Sequence, residues 1–214
     1  MLSRFINAAI LAVAAALCAW LIQPTLANGQ PAPAAEACPD IGRYAVGGYP
    51  QPGIVPAGYT PVHTPGGIFH WENGGYARGQ RVGAANVVHT VDEFTARCPG
   101  SSVALYGYSY GGGVVATAAE TLNYRPYAGQ VHVHVDGGPR HPGGVEQSWR
   151  HTPVGWLLGF RGPVTQTWNL ASYRSECNPR DAICDMPPPW LVLPTLDHIA
   201  GYLHGQHVYP GPSL

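Results

Sequence analysis

The stretch from Ser102 to Leu122 constrains the fold more than any other part of the 214-residue chain. It begins with a short apolar run, Val103–Tyr106, that favours a strand, and it ends in an Ala- and Val-rich segment that favours a helix. Between them lies the pentapeptide GYSYG at residues 107–111. A strand, a glycine-flanked serine turn and a helix in this order form a nucleophile elbow, which raises the serine hydroxyl above the edge of a sheet.

The residues around this serine have distinct physical roles. A side chain at Gly107 or Gly111 would collide where the strand and the helix pass closest. The start of the helix directs free backbone N–H groups, including that of Tyr110, at the space in front of Ser109. We therefore interpret Ser109 as a nucleophile and Tyr110 as an oxyanion donor. The alternative is a glycine-rich turn of an α/β protein without chemistry.

The composition supports one globular domain and gives no sign of a polyanionic partner. Hydrophobic residues make up 45% of the chain, while 28 glycines and 22 prolines indicate many turns and long loops. Charged residues make up 11% and the formal net charge is −1. Because nucleic acids and anionic membranes are bound through basic surfaces, we expect neither as a partner.

The N-terminus differs from the rest of the chain. Arg4 precedes an apolar stretch, Phe5–Ile22, and small residues follow it. This pattern predicts a secretory signal peptide over residues 1–27, a flexible Pro/Ala linker over 28–36 and a folded domain over 37–214. An uncleaved membrane anchor is the alternative, since the apolar stretch is nearly long enough to span a bilayer. In either case we expect a secreted or cell-envelope protein.

Export changes the interpretation of the cysteines. Cys18 lies in the predicted signal, which leaves Cys38, Cys98, Cys177 and Cys184 in an oxidising compartment. Of the three possible pairings we favour Cys177 with Cys184, which would close a short loop, and Cys38 with Cys98. A zinc site is the weaker alternative because the chain lacks a C-x-x-C pair among these four.

Three further segments complete the pattern. Ile41–Gly48 predicts a strand followed by a glycine turn, in which Gly48 is a candidate second oxyanion donor. Tyr76–Cys98 predicts a helix, and Gln130–Asp136 alternates as a strand should. The predicted helix has apolar residues at a three-residue step: Val82, Ala85, Val88, Val91 and Phe94. We therefore predict a central, mostly parallel sheet flanked by helices.

Two other features leave alternatives open. His132 and His134 project from one face of a predicted strand, so they either belong to an ordinary strand, which we favour, or bind zinc. The region His151–Ser175 either forms an apolar flap that lines an acyl-binding groove or belongs to the core. Its bulky apolar residues are Trp156, Leu157, Leu158, Phe160 and Trp168.

An activated serine needs a histidine base and an orienting carboxylate. In α/β-hydrolases the chain order is serine, acid, histidine. Asp181 fits as the acid, and we prefer it to Asp185 and Asp197 because the Cys177–Cys184 loop would hold it rigidly. A solvated loop aspartate is its alternative role.

The base must be a late histidine. We choose His207 first, then His198, then His204, although the sequence separates the three poorly.

Several motifs together resemble known families. Cys98-Pro99 before GYSYGG, the earlier Cys38 and the spacing C-x3-D-x2-C at residues 177–184 resemble the cutinase family. The segments GGPRHPGG, RDAICDMP and the closing GYLHGQHVY are similar to the PE-PPE domain of mycobacterial proteins, a relative of the cutinases. The resemblance covers about Cys38 to Tyr209 and implies a compact α/β-hydrolase with two disulfides, no large lid and no cofactor or metal.

The resemblance also implies residue roles. It makes Ser109 the nucleophile, Asp181 the orienting acid and His207 the base. The chain has Tyr110 where these families commonly have Gln, and its histidine lies farther from Cys184 than in cutinases, which keeps His198 as an alternative.

Taken together, the residues and the resemblance predict a secreted, monomeric serine carboxylic-ester hydrolase that works through an acyl-enzyme. Lipid or cell-envelope esters are the substrates that the resemblance implies. The alternatives are an acyltransferase, a catalytically silent envelope-binding protein on the same scaffold, and a metalloprotein built on His132 and His134.

Overall fold

A five-stranded parallel sheet forms the centre of the protein. The computed structural model describes residues 37–49, 53–65 and 75–212. The strands are β1 (Ile41–Val46), β2 (Thr60–Pro61), β3 (Ser102–Tyr108), β4 (Val131–Asp136) and β5 (Ser172–Glu176). Their order in the sheet is β2-β1-β3-β4-β5, and every neighbouring pair is parallel. This arrangement confirms the predicted α/β-hydrolase class.

The helices are α1 (Gly75–Arg97), α2 (Tyr110–Leu122), α3 (Val145–Ser148), α4 (Pro153–Leu158) and α5 (Val192–Gly201). The two long ones, α1 and α2, pack together and bury the apolar side chains that the sheet presents to them. A 3-10 turn covers Ala128–Gln130, and a π-type turn, Tyr202–Gln206, continues from α5. Among the described residues, no helix has both the length and the apolar character that crossing a bilayer requires.

The buried face of α1 differs from the predicted one. Val88, Val91 and Phe94 are buried, but Val82 and Ala85 are exposed. A step of three residues lags behind the 3.6-residue turn, so positions traced backwards from Phe94 rotate away from the core. Residues at four-residue steps take their places, among them Gln80 and Ala84.

Strand β4 alternates as predicted. Its three valines are buried, whereas His132 is exposed and bonds through Nδ1 to the Ser172 hydroxyl at 3.0 Å. His134 bonds instead through Nε2 to Asp136 Oδ1 at 2.8 Å. The two imidazoles therefore have separate partners, and this geometry gives no support to a metal site that they share.

Both predicted disulfides are present. Cys38–Cys98 ties the chain before β1 to the end of α1, and Cys177–Cys184 closes the short loop that contains Asp181. The predicted signal peptide and linker, residues 1–27 and 28–36, lie outside the described residues.

Candidate active site

Ser109 occupies a strained turn between β3 and α2. Its backbone has φ 54° and ψ −123°, and only one other non-glycine residue in the described part of the chain, Arg180, has a positive φ. Such a conformation is costly for a residue with a Cβ and persists only where its surroundings impose it. The Ser109 N–H donates to the Asp136 carbonyl at 2.9 Å, which fixes the turn to the end of β4.

The flanking glycines are required by close backbone contacts. A Cβ at Gly107 would lie 2.8 Å from the Gly111 carbonyl oxygen, as expected for a strand and helix in close approach. A Cβ at Gly111 would lie 2.1 Å from the Val46 carbonyl oxygen. The second glycine therefore makes room for the end of β1, a contact that the local sequence did not reveal.

Asp181 is fully buried in the disulfide-closed loop, with 0% of its surface exposed. The Ile183 N–H donates to Oδ1 at 2.9 Å. Oδ2 lies 2.7 Å from His207 Nδ1 and accepts a hydrogen bond of 2.7 Å from the Tyr209 hydroxyl. Donors to both oxygens compensate for the burial of this carboxylate.

The imidazole of His207 is held from several sides. Its ring lies beside those of Tyr108 and Tyr202, at centroid distances of 5.1 and 5.0 Å. The Tyr108 hydroxyl donates to the His207 carbonyl at 2.5 Å. A Cβ at Gly137, directly after β4, would lie 2.7 Å from the imidazole Cε1, so only glycine leaves space for the ring.

The bond to Asp181 also assigns the protons of this imidazole. An ionised carboxylate can only accept, so Nδ1 carries the donated proton, and in the neutral imidazole Nε2 is then the acceptor. Nε2 is buried and has no hydrogen-bond partner in the described part of the chain. Asp181 thus orients the imidazole, while Nε2 makes no hydrogen bond to the Ser109 hydroxyl in this structure.

The two alternative histidines have different partners. His198 lies 3.1 Å from Asp185 through Nε2, and its Nδ1 lies 2.9 Å from the Pro194 carbonyl. His204 is exposed, and its Nδ1 lies 2.6 Å from the Ala200 carbonyl. Of the three predicted histidines, His207 is the one that the structure joins to Asp181.

The alternative carboxylates, Asp185 and Asp197, also have partners other than His207. Asp185 accepts from the Arg180 N–H as well as facing His198, and Asp197 accepts from the Arg180 guanidinium at 2.7 Å.

The predicted oxyanion donors lie next to Ser109. Tyr110 is the first residue of α2, where backbone N–H groups have no partner within the helix. A Cβ at Gly48, in the turn after β1, would lie 3.2 Å from Ser109 Cβ. Burial raises the pKa of the Tyr110 phenol to about 12, so this side chain stays neutral beside the site.

A largely apolar cavity of about 270 Å³ opens at Ser109. Leu158 and Phe160 of the predicted flap line it. The other three flap residues are exposed instead: Trp156 by 72%, Leu157 by 70% and Trp168 by 65%. These three residues therefore neither line the groove nor belong to the core, which were the two interpretations of the flap.

Sequence reasoning missed two groups of residues that shape the site. Tyr209 entered only as part of a closing motif, and its bond to Asp181 was not foreseen.

The second group surrounds Glu146, which is 0% exposed behind the cavity wall. The carboxylate accepts from the Tyr76 hydroxyl and the Gln80 amide, both at 2.8 Å, and from the Arg161 N–H at 2.9 Å. Tyr76 and Glu146 are 70 positions apart, so no local spacing signals the contact.

Three known structures are similar to the chain. A cutinase-like protein from Cryptococcus sp. is 18% identical, with a TM-score of 0.39 over 62% of this chain and 74% of that one. An acetyl xylan esterase, solved as an iodinated complex, is 19% identical, with a TM-score of 0.45 over 79% and 94%. Trichoderma reesei cutinase in complex with a C11Y4 phosphonate inhibitor is 18% identical, with a TM-score of 0.36 over 71% and 60%.

At 18–19% identity these structures carry no argument about function. No curated protein sequence matches the chain. The sequence itself matches the Cutinase family model over residues 67–203. Ser109 and Asp181 lie within this range, and His207 lies just beyond it. The match spans more than half of the chain, which therefore belongs to the cutinase family of carboxylic-ester hydrolases.

Proposed function

We propose that this protein is a secreted serine esterase that hydrolyses lipid or cell-envelope esters through an acyl-enzyme on Ser109. The observation that carries the proposal is the 2.7 Å hydrogen bond between His207 Nδ1 and Asp181 Oδ2. This bond orients the imidazole as a base. The ring lies against Gly137, which follows β4, and β4 is the neighbour of β3, after which the strained turn at Ser109 begins.

In the acylation step the Ser109 hydroxyl attacks the ester carbonyl carbon while His207 Nε2 takes its proton. The tetrahedral intermediate collapses, the carbon–oxygen bond to the alcohol breaks, and the imidazolium returns its proton to the leaving alkoxide oxygen. Asp181 keeps the imidazole in the correct tautomer and stabilises its cation. The products are an alcohol and an ester on Ser109.

In the deacylation step water replaces Ser109 as the nucleophile. His207 accepts a proton from the water, which attacks the acyl carbon, and then returns it to the Ser109 oxygen. The acid leaves and the free enzyme is restored, so water is the only co-reactant. The backbone N–H groups of Tyr110 and Gly48 stabilise the oxyanion in both steps.

The cavity supports an apolar acyl group as the substrate part next to Ser109. Tyr76, Leu158 and Phe160 line its volume of about 270 Å³, and this largely apolar lining suits a hydrocarbon chain more than a polar group. Within the family, the closing segment that carries His207 and Tyr209 resembles PE-PPE domains, which supports envelope lipids of the mycobacterial type as substrates.

The two disulfides support export, because such bonds persist in oxidising compartments. We propose a monomer for the mature domain.

The test is labelling of the mature protein with a fluorophosphonate probe, located by mass spectrometry. We expect a single adduct on Ser109, absent from Ser109→Ala. His207→Ala should abolish labelling, whereas His198→Ala should retain it. A folded, oxidised protein that takes no label would overturn the proposal and favour a silent binding protein. Product analysis with an added alcohol distinguishes hydrolysis from acyl transfer.

A further inference from the structure

Helix α5 and the turn after it have their polar and apolar faces reversed. The residues that face the protein are Thr195, His198 and Gly201, which are buried or half-buried. The opposite face exposes Leu193 by 79% and, in the following turn, Leu203 by 74%. The exposed large apolar residues between positions 190 and 203 are Trp190, Leu191, Val192, Leu193, Leu196, Ile199, Tyr202 and Leu203. A surface helix of a soluble protein normally directs its apolar stripe inwards.

A second element repeats this exposure. Helix α4 buries Gly155 but exposes Trp156 and Leu157. Both elements border the cavity at Ser109, since α4 supplies Leu158 to its lining and the turn after α5 supplies Tyr202. The exposed apolar side chains therefore belong to two elements that line one cavity, and clusters of this kind mark interaction sites.

The charge pattern identifies the kind of partner. Between Met186 and Gln206 the only charged residue is Asp197, and the Arg180 guanidinium already pairs with it. The segment thus offers no cation to anionic groups and no free anion to a basic protein. Exposed tryptophans beside leucines are typical of residues that insert at a lipid–water boundary. A second copy of the chain on this face would cover the opening of the cavity, whereas a lipid layer would present ester groups to it.

We propose that the outer face of α5, its following turn and the exposed end of α4 form a lipid-docking surface that seats the opening of the cavity on an uncharged lipid layer. Docking itself needs only this apolar surface. Its use for catalysis rests on the proposed function.

The test uses vesicles of zwitterionic phosphatidylcholine and the Ser109→Ala protein, so that binding is measured without turnover. We expect cosedimentation that does not weaken at high salt, because apolar contacts are not screened. Adding Leu193→Gln and Leu196→Gln should reduce the partition coefficient by about tenfold or more, since two apolar side chains are lost from the contact. Glutamine keeps helix propensity and adds no charge. Tyr124→Gln, at an exposed side chain beyond the far end of α2, is the matched control and should bind normally.

The same double substitution in the active protein separates docking from chemistry. Hydrolysis of a soluble short-chain ester should stay within about twofold, while hydrolysis of an ester embedded in vesicles should fall with binding. Vesicle binding that the substitutions leave unchanged, or that salt abolishes, would overturn the docking surface. So would a stable dimer that the substitutions dissociate. If the unsubstituted protein does not hydrolyse the soluble ester, the proposed function is contradicted, whereas the result on vesicle binding still stands.

Discussion

Two carboxylates in the described part of the chain have no exposed surface, and their surroundings differ. Asp181 and Glu146 are both 0% exposed, and each accepts hydrogen bonds from one tyrosine hydroxyl and one backbone N–H. The third partner differs. Glu146 faces the amide of Gln80, whereas Asp181 faces the imidazole of His207.

This difference decides what each carboxylate can do. An amide does not ionise near neutral pH, so the hydrogen-bonded group around Glu146 has no member that can act as a base, and it holds the wall of the cavity together. The imidazole carries its second nitrogen on the opposite side of the ring from Asp181, where it can accept a proton. Burial alone therefore does not identify a carboxylate that can take part in catalysis. What identifies it is a partner with a second nitrogen that can accept a proton.

The largest expected effect is on catalysis at Asp181. Asp181→Asn keeps the shape of the side chain, but its amide can present an N–H to His207 Nδ1 and so favour the wrong tautomer. We expect kcat for a soluble ester to fall on the order of 10³–10⁴-fold. Asp185→Asn, directly after Cys184, is the control and should change kcat by less than about threefold. Equal losses in the two variants would contradict the assignment of the acid.

The second effect is on stability at Glu146. All three partners donate to this carboxylate, so in Glu146→Gln one amide N–H must meet another donor. We expect the free energy of unfolding to fall by about 1–3 kcal/mol, with kcat within about tenfold of the original. Urea denaturation measures the change. Glu93→Gln, at an exposed pair with His89, should cost less than about 0.5 kcal/mol.

The two tyrosines sharpen the comparison further. Tyr209→Phe removes a donor from the oxygen that His207 also contacts, so we expect kcat to fall by about 3- to 30-fold with KM unchanged.

Tyr76→Phe removes the equivalent donor from Glu146 and should lower stability by about 1–2 kcal/mol while kcat stays within about twofold. If Tyr76→Phe lowered kcat as much as Tyr209→Phe, the distinction between the two carboxylates would fail.

The smallest effect appears only in alkali. Burial, reinforced by the Glu146 carboxylate, raises the pKa of Tyr76 well above its ordinary value of 10.0. The unfolded chain therefore loses this proton first, and stability that is fully present below pH 10.0 falls as the pH rises above it. The slope from this one group reaches about 1.4 kcal/mol per pH unit.

Urea titrations at a series of alkaline pH values measure that slope. Tyr76→Phe should make it shallower, and Tyr124→Phe, at an exposed side chain, should not. An unchanged slope in Tyr76→Phe would show that the buried phenol is not the group responsible.

The sequence predicted the features that depend on neighbouring residues. The turn around Ser109, the alternation of β4 and the short Cys177–Cys184 loop follow from patterns within a few positions. The face of α1 was predicted less well, because a three-residue apolar step is compatible with more than one helix face. Val82 and Ala85 show that the packing against the sheet, which the pattern does not contain, selects the face.

By itself, the sequence determined a parallel α/β scaffold with a serine at its central turn, because strand and helix preferences and glycine conformations are local properties. Only the tertiary structure decided which histidine meets Asp181. His198, His204 and His207 have similar surroundings in the sequence, and the choice depends on the space above Gly137 and on the hydroxyls of Tyr108 and Tyr209. These contacts join residues from separate elements, so their geometry exists only once the sheet has assembled.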